Sequence, residues 1–275
     1  MKKIPQLLIL AFTGFVLFIV INKINTLYKA KQIFQYDYPK ELLNHIPTFR
    51  KIDTIDSLKD IAINCRIKNL TVTVPQRLEI IYDSIYNDNA RLITFGDSST
   101  IIITYDSNIK ELNYMKHFQE IDKNINKDMY KKYFAKNNIV SNYQFLKHIF
   151  NLSPKDIKLY DSNSNIILKY TILKFKEMAI ASGYDRHFSN FETNVVKGFQ
   201  FGAPGTNKDV IIYLFDKKDY QYSIIFIGKY FTQDLIDQII RNIKVACNVL
   251  YQNKDFLNPL LKSIYSLSLT PKRIA

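Results

Sequence analysis

The sequence predicts an α+β protein: an N-terminal transmembrane helix followed by an antiparallel β-sheet packed with helices. Three observations predict it. No charged residue stands between Ile4 and Asn22. Alternation of period two fills two blocks, about residues 61–105 and 191–227. Apolar residues at helical spacing occupy the stretch between those blocks and recur after the second. Strands, then helices, then strands, then a helix spell a sheet covered by helices.

Leu7 to Ile21 is almost continuously apolar. Nineteen uncharged residues in a helix cover roughly 28 Å, close to the hydrocarbon thickness of a bilayer. Lys2 and Lys3 precede them, which raises the alternative of a cleaved signal peptide. The nearest cleavage candidate, Tyr28-Lys29-Ala30, has a bulky Tyr at a position that wants a small residue, so an uncleaved anchor over residues 1–30 is the better reading. Residues 31–59 read as a linker with a short helix, punctuated by Pro39 and Pro47.

A globular domain is then expected over residues 60–250, with a helical insert at about 110–181 and a tail at 251–275. Ile61, Ile63, Cys65 and Ile67 alternate with polar partners, and Leu70, Val72 and Val74 continue in the opposite parity, so a bend or tight turn is expected at Lys68-Asn69. Arg77–Tyr82 is another strand. Residues 91–95 and 100–105 bracket Gly96-Asp97-Ser98, a hairpin signal. Helices follow at 111–121 and 125–135, and after Ser141, which can cap a stripe of Phe145, Leu146, Ile149 and Phe150. Ser153-Pro154 is a cap with proline at the first helical position. Asn165–Ala181 reads as helix from its length and the Leu168, Ile172, Phe175, Ala179 stripe, with Gly183 beyond its end. The sheet resumes with a strand at 191–201 and a hairpin of 210–215 and 220–227 around Asp216-Lys217-Lys218-Asp219. Thr232 caps a last amphipathic helix through Leu235, Ile236, Ile239, Ile240 and Ile243.

Composition excludes several classes. With 47% hydrophobic and 14% aromatic residues among 275, the chain has the apolar mass for a core. Two cysteines cannot supply a four-cysteine zinc or iron–sulfur site. The net charge of +13 invites nucleic acid as a partner, yet the basic residues are thirty-one Lys against seven Arg. Base readout and phosphate clamping favour Arg for its bidentate fork. The lysines from Lys110 to Lys136 also interleave with Glu111, Glu120, Asp122 and Asp128 as on a solvated helix face. No nucleic-acid partner is expected.

The segment Phe191 to Ile243 carries a strand with Lys197-Gly198-Phe199, a glycine loop, a hairpin of two long strands and a Thr-capped helix. That pattern resembles the closing half of PsbP-like α/β/α sandwich domains, a group that includes DcrB-like bacterial envelope proteins. The Leu70–Pro75 strand and the Arg91–Tyr105 hairpin look like that family's first half. Several immunity proteins against type VI secretion toxins are similar in architecture. The resemblance implies a PsbP-like sandwich used for binding, with no active residue to carry over. Joined to the anchor, it implies a single-pass protein of a bacterial inner membrane with a periplasmic domain. The partners expected are the membrane, through the N-terminal helix, and a protein, either a toxin or an envelope complex. The function expected is a protein-binding domain in the form of an immunity protein; the alternative is a structural or assembly subunit.

Candidate chemical sites are few. His45, His117, His148 and His187 show no metal-ligand spacing, and there is no phosphate loop, nucleophile elbow or His-Glu-x-x-His. Neither a metal nor an organic cofactor is expected. Asp185, Arg186 and His187 form the densest polar cluster and could make an acid–base site or anion clamp, against the plainer reading of a helix-terminating loop. Cys65 and Cys247 would form one disulfide if they meet in space, and two buried free thiols are the other reading. The expectation is that the chain is not an enzyme.

Overall fold

The computed structural model describes residues 3–33, 43–52, 62–75, 79–86, 88–106, 127–158, 160–180, 187–206 and 208–246. The chain forms two compact units, Met1–Ile46 with Lys110–Ala181, and Pro47–Ile109 with Ser182–Ala275.

The first unit is helical. Its described helices are α1 (Lys3–Ile33), α2 (Lys127–Lys136), α3 (Asn142–Asn151) and α4 (Asn163–Ile180), with a 3₁₀ turn at Pro154–Asp156. α4 is the hub against which α1, α2 and α3 all pack. Ser141 caps α3 by accepting the Gln144 N–H at 3.1 Å, which satisfies one of the orphan donors of the first turn. Tyr130, Tyr133, Phe145, Ile149, Phe150 and Ile172 are fully buried inside this unit.

α1 corrects an expectation. No helix among the described residues is long and apolar enough to cross a membrane. The side chains described on α1 run from Thr13 to Tyr28. The helix continues past the apolar run through Asn22, Lys23, Asn25 and Thr26, and packs on α4; Lys23 Nζ donates to the carbonyl of Asp161, just before that helix. A transmembrane helix, and with it the single-pass inner-membrane location, is therefore not what this structure contains. Phe15, Leu17, Phe18 and Ile24 are exposed on it.

Among the described residues, the second unit holds two sheets. Its strands are β1 (Thr48–Lys51), β2 (Ala62–Ile67), β3 (Leu70–Pro75), β4 (Ile80–Tyr86), β5 (Ala90–Phe95), β6 (Thr100–Asp106), β7 (Phe188–Glu192), β8 (Val196–Phe201), β9 (Val210–Asp216), β10 (Gln221–Ile227) and β11 (Lys244–Val245). Eight of them form one sheet in the order β1-β7-β8-β9-β10-β6-β5-β4, and β11-β3-β2 form a smaller one. The large sheet is mixed, because β1 pairs parallel with β7 while its other neighbours are antiparallel. That corrects the expected antiparallel sheet. β1 sits within the segment read as linker, and four residues are too few to show a period.

One face of the large sheet is the core. Ile93, Ile101, Ile103, Ile212, Leu214, Tyr222, Ile224 and Phe226 meet Val72 and Val74 of β3 and the buried stripe of helix α5 (Gln233–Arg241). Thr232 caps α5 by accepting the Leu235 N–H at 3.4 Å. A half-buried polar network pins α5 to the sheet: Arg50 of β1 pairs with Asp237 and donates to Gln200 of β8 at 2.7 Å, and Gln233 bonds both Gln200 and Asp237. Burial raises the Asp237 carboxyl above its ordinary value, and Arg50 pulls it back.

Candidate functional site

The β4–β5–β6 end of the large sheet differs from the rest of the unit. Pairing register sets which side chains share a face. Ile93, Ile101 and Ile103 point to the core, so their neighbours in sequence point away from it. Three cross-strand rows result on the outer face: Tyr82, Thr94, Thr100 and Ile227; Ser84, Leu92, Ile102 and Ile225; Tyr86, Ala90, Thr104 and Ser223. Leu92, Ile102, Ile225 and Ile227 are only half-buried, and Tyr82 and Tyr86 are 48% and 49% exposed. At the β7–β9 end of the same face, Phe199, Phe201 and Phe215 are buried. The outer face therefore passes from buried phenylalanines to an open strip of Ile, Leu and Tyr.

β4 ends the sheet and has no strand on its outer side among the described residues. A register shift between Ile80 and Tyr82 marks a bulge at Ile81, which leaves Tyr82–Tyr86 as the regular edge. Ile81 and Ile85 are 60% and 57% exposed. The two tyrosine hydroxyls lie 3.1 Å apart; their shared hydrogen bond moves Tyr82 below and Tyr86 above the ordinary phenol value. On the other side of the strand, Arg91 grips both oxygens of Asp83 and also donates to the Asn64 carbonyl at 3.2 Å. The Arg91 hydrogen bonds hold the Asp83 carboxyl below the usual carboxylate range.

Sequence reasoning did not find this surface. It placed a strand at Arg77–Tyr82, where β4 runs from Ile80 on to Tyr86. Two signals were present. Tyr82, Ser84 and Tyr86 alternate, and residues 79–97 contain no lysine in a chain that has thirty-one.

The residues singled out from sequence fall elsewhere. Asp185, Arg186 and Cys247 lie outside the described residues. His187 is exposed just before β7, and its carbonyl accepts the Gly202 N–H at 2.9 Å, an ordinary strand-end contact. Cys65 is a buried free thiol on β2, pushed up to about 11 by burial, which makes it a poor nucleophile. His148 Nε2 lies 2.7 Å from the Tyr133 hydroxyl inside the helical unit; burial lowers the imidazole and raises the phenol. No group of three His, Cys, Asp or Glu side chains among the described residues could hold a metal ion.

No protein-family model matches this chain, and no curated protein or solved structure is significantly similar to it. The surface at β4–β6 must speak through its own chemistry. It offers exposed aromatic rings, half-buried aliphatics, and a strand edge whose N–H and C=O groups can pair outward.

Proposed function

We propose that this chain is a protein-binding module, and that its specific form is an immunity protein neutralising a toxin by covering it. The observation that carries this reading is the open β4 edge with Tyr82 and Tyr86 beside it. An exposed, largely apolar edge strand is a hazard that folded proteins usually blunt with lysine or proline. β4 has neither. Aromatic residues at such a place supply contact area at low entropic cost, which is what a binding face uses. The resemblance of Phe191–Ile243 to sandwich domains that include immunity proteins supports a toxin as the class of partner. An inhibitor of this kind acts by surface complementarity, so it requires no reactive side chain.

The test is to co-express the full chain with each protein encoded beside its own gene, following growth and co-elution on size exclusion. The expected result is one neighbour that is toxic alone, harmless with this chain, and co-elutes with it. If no neighbour is toxic and none binds at micromolar concentration, the immunity reading is lost.

A further inference from the structure

We infer that the β4 edge takes up an extended segment of a basic partner as an added strand, so that the partner continues the eight-stranded sheet. The inference rests on the protein-binding reading above and names its mode and the partner's chemistry.

Strand addition needs a regular edge, unpaired main-chain groups and side-chain rows that alternate. Among the described residues, Tyr82–Tyr86 supplies all three. Ile81, in the bulge, closes off one end, and the turn after Tyr86 closes the other, so the segment that fits is about five residues long, or about 17 Å. On the outer face an added strand meets Tyr82 and Tyr86 with Ser84 between them. A β-branched or aromatic residue opposite each tyrosine forms the cross-strand pairs that stabilise sheets. On the inner side it meets Asp83 and Ile85, and Asp83 is already held by Arg91.

Charge decides the kind of segment. The β4–β5 hairpin, residues 79–97, carries Glu79, Asp83, Asp88 and Asp97 against the single Arg91, in a chain whose net charge is +13. Glu79 and Asp88 are exposed and stand at the two ends of β4. An added strand with an apolar centre and Lys or Arg at each end meets both. Opposite charges across a strand pair are favourable and like charges are not. A second copy of this chain fits worse. Antiparallel pairing that sets Tyr82 against Tyr86 of the other copy brings Glu79 alongside Asp88 at both ends, and parallel pairing in register sets Glu79 against Glu79.

The probe is a fluorescent peptide with an alternating Val-Tyr-Thr-Val-Thr centre and two lysines at each end, titrated with the full chain by anisotropy. Two companions carry glutamates in place of the lysines, or N-methyl groups on alternate central amides. The expected result is saturable binding of the lysine peptide, at least tenfold weaker binding of the glutamate peptide, and none of the N-methylated one. The Glu79→Lys/Asp88→Lys double variant is expected to reverse the preference for lysine over glutamate. Both companion peptides leave the protein untouched, so the comparison stands even if that variant fails to fold. Equal binding of the N-methylated peptide, no binding of the lysine peptide, or a dimer by sedimentation that Tyr82→Lys dissolves each overturns strand addition. A neighbour-encoded partner that co-elutes equally with the wild type and with Tyr82→Lys leaves the binding function standing while strand addition falls. Absence of any such partner strikes the function itself.

Discussion

Arg91 holds Asp83 with two parallel bonds, Nε to Oδ1 at 2.9 Å and Nη2 to Oδ2 at 2.6 Å, across the β4–β5 hairpin. The fork-to-fork geometry fixes both side chains, and the third Arg91 bond reaches β2 through the Asn64 carbonyl. This one guanidinium ties the outermost strand of the large sheet to the small sheet. Asp83 remains one-third exposed, so solvent screens part of the attraction. Arg91→Ala is expected to lower stability by about 1 kcal/mol and to raise amide exchange in Tyr82–Tyr86 more than in β9 or β10. Urea unfolding and hydrogen exchange measure the two effects. Uniform protection across the sheet in the variant would show that the pair does not anchor β4.

Gly198 of β8 stands where no side chain fits. A Cβ built there lies 2.1 Å from the Tyr213 carbonyl oxygen and 2.9 Å from the Phe191 ring. Backbone of a central strand cannot yield as a flexible side chain can, so Gly198→Ala is expected to cost at least about 2 kcal/mol through overpacking. Gly96 is the control: its nearest atom is the Glu79 carbonyl oxygen at 3.9 Å, and Gly96→Ala should change stability by less than about 0.5 kcal/mol. Thermal unfolding of both variants tests the contrast.

What the sequence made legible was local. Ser141 and Thr232 cap their helices because a hydroxyl before an amphipathic run needs only three residues of context. The turn at Lys68-Asn69 forms with Lys68 at φ 50°, as the change of parity requires. What stayed hidden was non-local or unmarked. Residues 191–201 read as one strand, yet the chain reverses at Thr193, whose hydroxyl accepts the Val195 and Val196 N–H groups without help from glycine or proline. β1 joins the sheet through a parallel pairing across more than a hundred residues, which no window of sequence reveals. The binding strip depends on register as well. Tyr82 and Ile225 share a face only because β4, β5, β6 and β10 align in one order.

Lys176 is fully buried in the helical unit and donates to the Leu152 and Leu43 carbonyls at 2.8 and 3.1 Å. Leu152 is the C-cap residue of α3, so the ammonium serves a helix end that lacks donors of its own. Burial lowers this lysine to about 8. Between that value and the ordinary lysine value of about 10.4, the unfolded chain binds a proton that the folded chain does not. Stability from this group must therefore rise with pH from about 8 to about 10.4 and stay flat below. The urea midpoint of the wild type minus that of Lys176→Met, followed over this window, is expected to climb. A flat difference would mean that Lys176 keeps its ordinary affinity for the proton.

Cys65 works in the opposite direction in an overlapping window. The thiol is buried on β2, and desolvation raises it from 9.0 to about 11 against the opposing pull of Arg91. As pH rises past the unfolded value, the unfolded chain loses its thiol proton while the folded chain keeps it, so the folded state binds more protons and stability falls until pH reaches about 11. Cys65→Ala removes that slope at the expense of a small cavity, whose effect is independent of pH. The difference between wild type and Cys65→Ala should therefore shrink from pH 9 to pH 11, while that between wild type and Lys176→Met grows from pH 8 to 10.4. Arg91 joins this prediction to the first. Without its positive charge the thiolate loses the favourable pull of Arg91, so Arg91→Ala should move the Cys65 titration higher still, read as the difference in absorbance at 240 nm between each protein and its Cys65→Ala counterpart, which cancels Cys247 and the tyrosinates. A Cys65 titration that stays near 9 in the folded protein would show the thiol to be solvated, and β2 would then not seal the core face of the large sheet at that position.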